Sequence, residues 1–102
     1  MYTAIRRYTA TDSSVLDEIV QRVENEFVPM MRESNGFVAY SLVLTGGTGL
    51  VTISVFEDQA GAEASTTKAR EWVNANLAHF VQGSPQIDAG EARVVVTAQH
   101  GG

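Results

Sequence analysis

Apolar positions along the chain alternate at period two over short runs, and recur every three or four residues over two longer ones. Tyr2 to Tyr8 reads as a strand, rich in β-formers and followed by the polar stretch Thr9–Ser14. Leu16, Ile19, Val20, Val23, Phe27, Met30 and Met31 then share one helical face, and Asp17, Glu18, Gln21, Arg22 and Asn25 fall away from it. Ser14, with Asp17 three positions on, resembles a capping box at the start of that helix. Pro29 lacks an N–H and crowds the carbonyl four residues back, which predicts a kink, or a break and restart, near Asn25–Pro29. Met30 and Met31 are expected to fill gaps in the core. Asn35-Gly36 supplies the left-handed residue that ends the helix.

Phe37 to Leu44 is apolar, aromatic and β-branched and reads as a second strand. Thr45-Gly46-Gly47-Thr48-Gly49 is a hairpin connection, and Leu50 to Phe56 is the returning strand. In that strand Val51, Ile53 and Val55 point to one face, and Thr52, Ser54 and Phe56 to the other. Asp58 is an N-cap for a second helix with the stripe Ala62, Ala69, Val73, Leu77 and Phe80, which Gly83 and Pro85 end. A last strand is expected from Glu91 to Ala98, centred on Val94-Val95-Val96, with Gln99–Gly102 as a flexible tail.

The element order is therefore β-α-β-β-α-β. It predicts a single α+β domain of ferredoxin-like type over residues 1–98: a four-stranded antiparallel sheet with two helices on one face. The other sheet face then needs a cover, because both parities of Phe37–Leu44 carry apolar or aromatic residues. The same face of a second copy is the simplest cover, so a homodimer is expected. A chain of 102 residues buries only a modest core and gains from such a partner.

Composition narrows the function classes. A net charge of −5 argues against nucleic acid and against an anionic membrane surface as partners. The absence of Cys excludes disulfides, thiolate metal sites and Cys nucleophiles. With two His, one of them near the C-terminus, no His-rich metal site is expected within one chain. No stretch has the length and apolarity of a signal peptide or a membrane span, so a cytoplasmic location is expected. No phosphate loop, dinucleotide fingerprint or nucleophile elbow is present; Gly46-Gly47-Thr48-Gly49 joins two strands and opens no helix.

Asn35-Gly36-Phe37-Val38-Ala39-Tyr40 leading into the second strand, Val55-Phe56-Glu57-Asp58 leading out of the third, and the element order together carry a resemblance. The chain resembles the antibiotic biosynthesis monooxygenase-like family of the dimeric α/β barrel superfamily, over roughly Tyr2 to Val96. The resemblance implies a dimeric α/β barrel and a scaffold that hosts cofactor-free oxygenases, haem-degrading enzymes and isomerases. It implies an apolar cavity in each subunit for a small aromatic or polyketide-like substrate, and no cofactor. Two departures matter. Many members carry a His early in the second helix, near where this chain has Ser65. The first strand offers Ile5, Arg6 and Arg7 without the Asn of the haem-degrading branch, and Trp72 and His79 do not keep that branch's spacing. Haem degradation is therefore not expected.

Trp72, Asn76 and His79 recur at helical spacing, and Ser65 and Lys68 continue the same flank. Such a flank could line a cavity between helix and sheet. Trp72 would stack on an aromatic ligand, Asn76 would hydrogen-bond an oxygen and His79 would move a proton. Tyr40 could reach the same ligand from the sheet, or fill core or dimer interface. The opposed reading places Trp72 on the core rim and leaves Asn76 and His79 in water. Arg6 and Arg7 are adjacent in a strand, so one of them points into a protein layer. There it forms an ion pair with a carboxylate such as Glu57 or Glu91, the expected arrangement, or meets an acidic ligand. The functional alternatives are cofactor-independent oxygenation and a non-catalytic dimeric binding or accessory module.

Overall fold

The computed structural model describes residues 1–98. Its elements run β1 (Tyr2–Ala10), α1 (Leu16–Arg22), a π-helical turn (Val23–Phe27), α2 (Val28–Arg32), β2 (Phe37–Gly46), β3 (Gly49–Phe56), α3 (Gln59–Asn76) and β4 (Val81–Glu91). The sheet order is β2-β3-β1-β4, with every neighbouring pair antiparallel. This is the expected ferredoxin-like α+β arrangement.

Strand alternation sorts the residues into two layers. Ala4, Arg6, Tyr8 and Ala10 of β1 and Leu50, Thr52, Ser54 and Phe56 of β3 face the helices. Ile19, Val23, Phe27 and Met31 come down on them from the first helical segment, and Ala62, Ala69, Trp72 and Leu77 from α3 and its end. Met30 departs from its expected place: it is 38% exposed, whereas Met31 is fully buried. The interruption at Pro29 takes the form of the π turn just before it. Proline has no N–H to offer Asn25, and the widened turn accommodates its ring. No capping box forms at Ser14. Residues Ser13–Val15 make a 3₁₀ turn, and the Ser14 hydroxyl bonds Asp12 Oδ2 at 2.9 Å.

The largest correction concerns the C-terminal part. Helix α3 stops at Asn76, and the fourth strand is Val81–Glu91; residues 92–98 form no strand. The Arg22 guanidinium donates to the Asn76 carbonyl at 3.2 Å and lies 5.1 Å from the Phe80 ring centre. That contact closes the helix end without any Gly or Pro. The chain then turns so that Phe80 accepts a hydrogen bond from Thr11 N–H at 2.9 Å, and Val81 pairs with Ala10. Gly83 (φ 63°) and Pro85 do not end a helix; they sit in this edge strand, where a missing N–H and a positive φ are tolerated. Val94 and Val96 are 83% and 88% exposed. Gln99–Gly102, expected as a tail, lie outside the described residues.

Candidate functional site

Arg6 sits at the centre of the two-layer sandwich. It is the inward member of the Arg6–Arg7 pair and only 1% exposed. Its Nη1 donates to Ser54 Oγ at 3.1 Å, and its Nη2 to Ser65 Oγ at 3.2 Å and Thr66 Oγ1 at 3.0 Å. The Ser65 and Thr66 hydroxyls in turn donate to the Ala62 carbonyl, which leaves their lone pairs facing the guanidinium. Nε is buried with no partner.

The expected ion pair with Glu57 or Glu91 does not form at this position. Glu57 follows β3 and Glu91 lies across the sheet from Tyr2; both are exposed and neither reaches Arg6. Among the described residues the sole ion pair is Arg22–Glu18, on the surface. Burial lowers the pKa of the Arg6 guanidinium, against the influence of Tyr8 and Tyr40. A guanidinium nevertheless stays protonated in proteins.

Beside Arg6 lies a cavity walled by Trp72, Phe27, Tyr40, Tyr8, Leu42 and Val23. The Phe27 ring is the hub, with its centre 5.3 Å from the Trp72 ring and 5.6 Å from the Tyr40 ring, both tilted. Burial is the largest cause raising the Tyr40 phenol far above its ordinary range; the neighbouring Tyr8 adds to it and Arg6 opposes it. Burial likewise raises Tyr8, again against Arg6. Both phenols are therefore neutral at neutral pH. Among the described residues no carboxylate, imidazole or amine lines this space. Its volume is about 20 Å³, room for roughly one water.

Two irregularities border the cavity. The π turn carries Val23 and Phe27 on one side. On the other, the β1–β4 register shifts between Arg7 and Thr9, so that Gly83, Ser84 and Pro85 lie opposite Tyr8. Such bulges re-aim a side chain, here at the sheet's helix-bearing face. Outside Tyr8 a groove of about 240 Å³ runs between α3 and β4. It shares Tyr8, Val73 and Val81 with the cavity, and Thr66 and Arg70 line it.

Of the expected site residues, Trp72 and Tyr40 are brought together in the cavity wall. Trp72 is 8% exposed, belongs to the core and is no rim residue. Asn76 and His79 do not join them. The Asn76 side-chain amide donates to the Trp72 carbonyl at 2.9 Å, a bond within its own helix. His79 lies past the helix end and is exposed, because α3 stops before it. Lys68 is exposed and bonds Ser34 Oγ, while Ser65 turns inward to Arg6. Sequence reasoning did not name Tyr8 or Phe27 for the site. The signal for Tyr8 was its parity with Ala4 and Arg6 in β1.

No family model and no curated protein sequence matches the chain. Solved structures do. A protein of unknown function from Nitrosomonas europaea, NE2512, is 18% identical and superposes with a TM-score of 0.78, covering 97% of this chain and 95% of its own. The monooxygenase from the gene ActVA-Orf6 of Streptomyces coelicolor, solved with the ligand Nanaomycin D, is 16% identical with a TM-score of 0.76, covering 96% and 92%. This is the antibiotic biosynthesis monooxygenase-like fold. SnoaB, a cofactor-independent oxygenase from Streptomyces nogalater, shares it at 16% identity and a TM-score of 0.67, covering 95% and 97%.

Proposed function

We propose that the chain is a cofactor-independent oxygenase acting on a small phenolic polycycle within each subunit. The observation that carries this reading is the partly open aromatic cavity of Trp72, Phe27 and Tyr40 between the helices and the sheet. Two proteins sharing the fold, a monooxygenase and a cofactor-independent oxygenase, support it. The substrate's own phenolate or enolate gives one electron to dioxygen. The substrate radical and superoxide combine at the ring carbon whose CH₂ gave up a proton to form the anion, the peroxide takes up a proton, and the hydroperoxide loses water to leave a carbonyl. One oxygen atom enters the product and the other leaves as water. Among the described residues the cavity lining supplies no general base, so the protein's part is to desolvate and orient the anion.

A substrate of this kind needs a pocket of several hundred Å³, so the walls must part on binding. The π turn bearing Phe27 and the bulge at Tyr8 are the irregular elements where they can do so. The smallness of the cavity is also what favours the second reading, a non-catalytic binding or accessory module. Oxygen uptake with an anthrone-type substrate separates the two. The oxygenase consumes dioxygen above the spontaneous rate, and Trp72→Ala and Tyr40→Phe slow it about tenfold or more, a loss of at least ~1.4 kcal/mol of transition-state stabilisation. A rate equal to the protein-free control leaves the binding module.

The working unit in this proposal is a homodimer. The helix-free face carries Ile5, Val43, Val51, Ile53 and Val55, with Val94–Val96 uncovered nearby in sequence to β4. A second copy is the cover that a symmetric assembly provides.

A further inference from the structure

We infer that the cavity is an anion site in which Arg6 holds an ionised oxygen of the ligand, and that the ligand reaches it through the α3–β4 groove past Arg70. The inference rests on the cavity being the ligand site, as in the proposed function, and adds the ligand's charge and the group that reads it.

Arg6 lacks a counter-charge among the described residues. A buried cation is costly unless it is paired. Among the described residues Arg6 meets only neutral hydroxyls, and one of its donors, Nε, has no partner. The two nearby phenols are both driven toward their neutral forms by burial, so neither serves as the counter-ion. The surroundings point the same way. The whole chain carries a net charge of −5, yet among the described residues neither the cavity nor the groove outside it has a carboxylate in its lining. Their charged residues are Arg6 within and Arg70 at the groove. Thr66 connects the two spaces, accepting from Arg6 Nη2 while lining the groove. A path whose charged residues, among those described, are both cations selects and steers an anion in an acidic protein. The same guanidinium lowers the pKa of a phenol or enol that binds beside it, so the proton leaves to solvent on binding and no side-chain base is required.

The test uses 7-hydroxycoumarin, whose absorption reports its ionisation, with coumarin as the neutral isostere. Binding is read by quenching of Trp72, the single tryptophan of the chain. The expected result is that bound 7-hydroxycoumarin ionises about one pH unit or more below the free compound, and that its anion binds about tenfold tighter than coumarin. In Arg6→Met that preference and that shift disappear while coumarin still binds; in Arg6→Lys part of both is retained. Equal affinity for the two probes with an unshifted phenol overturns the Arg6 assignment and leaves the cavity reading standing. Failure of both probes to quench Trp72 removes the cavity reading, and the anion site with it.

Discussion

At the residue scale the molecule turns on a cation where the core would be expected to be apolar. A buried cation without a counter-charge is costly to desolvate, so an apolar side chain of similar volume removes that cost. Arg6→Met is therefore expected to match or exceed the wild-type melting temperature; a loss of several degrees would make Arg6 a structural strut. Tyr40 gives a pH prediction of definite sign. Its folded pKa lies above the ordinary value of 10.0, so its stabilisation is complete below pH 10 and is lost as pH rises beyond it. Denaturant titrations above pH 10 should show falling stability, with a shallower fall in Tyr40→Phe. An identical slope would remove Tyr40 as the source. The inward position of one Arg was legible from strand parity alone. Its lack of an acid partner was not, because Glu57 and Glu91 are close in the strand plan and only register shows them out of reach.

At the element scale local signals worked where local chemistry decides. The Asp58 side chain caps α3 by accepting from Gly61 N–H at 2.8 Å, as its position before the apolar stripe implied. Asp58→Ala should cost about 1 kcal/mol in chemical denaturation. The signals failed where tertiary pairing decides. Val81–Glu91 holds few β-formers and contains Gly83 and Pro85, whereas Val94–Val96 is a stronger strand sequence. The free edge of β1 nevertheless takes the former, and an edge strand tolerates both breakers. That error carried the helix on to Phe80 and placed His79 on a flank it does not occupy. Gly83→Ala should destabilise by about 1–2 kcal/mol, since φ is +63° there and an alanine gains nothing from the open space around its Cβ.

At the scale of the whole molecule, the split of the sheet into a helix-bearing face and an opposed face with an apolar patch of Ile5, Val43, Val51, Ile53 and Val55 organises both proposals. The first face bears the aromatic cavity, and the second is the surface on which the proposed dimer would form. Ile53, at the middle of β3 between Ile5 and Ser41, is the position from which to test the latter. Sedimentation should show a dimer for the wild-type chain and a monomer for Ile53→Asp, with helix content unchanged; a wild-type monomer would undo the assembly. The most direct test of the account is a reaction under ¹⁸O₂ with a purified, metal-free preparation and a phenolic polycycle bearing a ring CH₂. The account predicts product formed faster than in the protein-free control, with one labelled oxygen in each product molecule and the second in water. Product unaccelerated over that control, or formed without label, would contradict it.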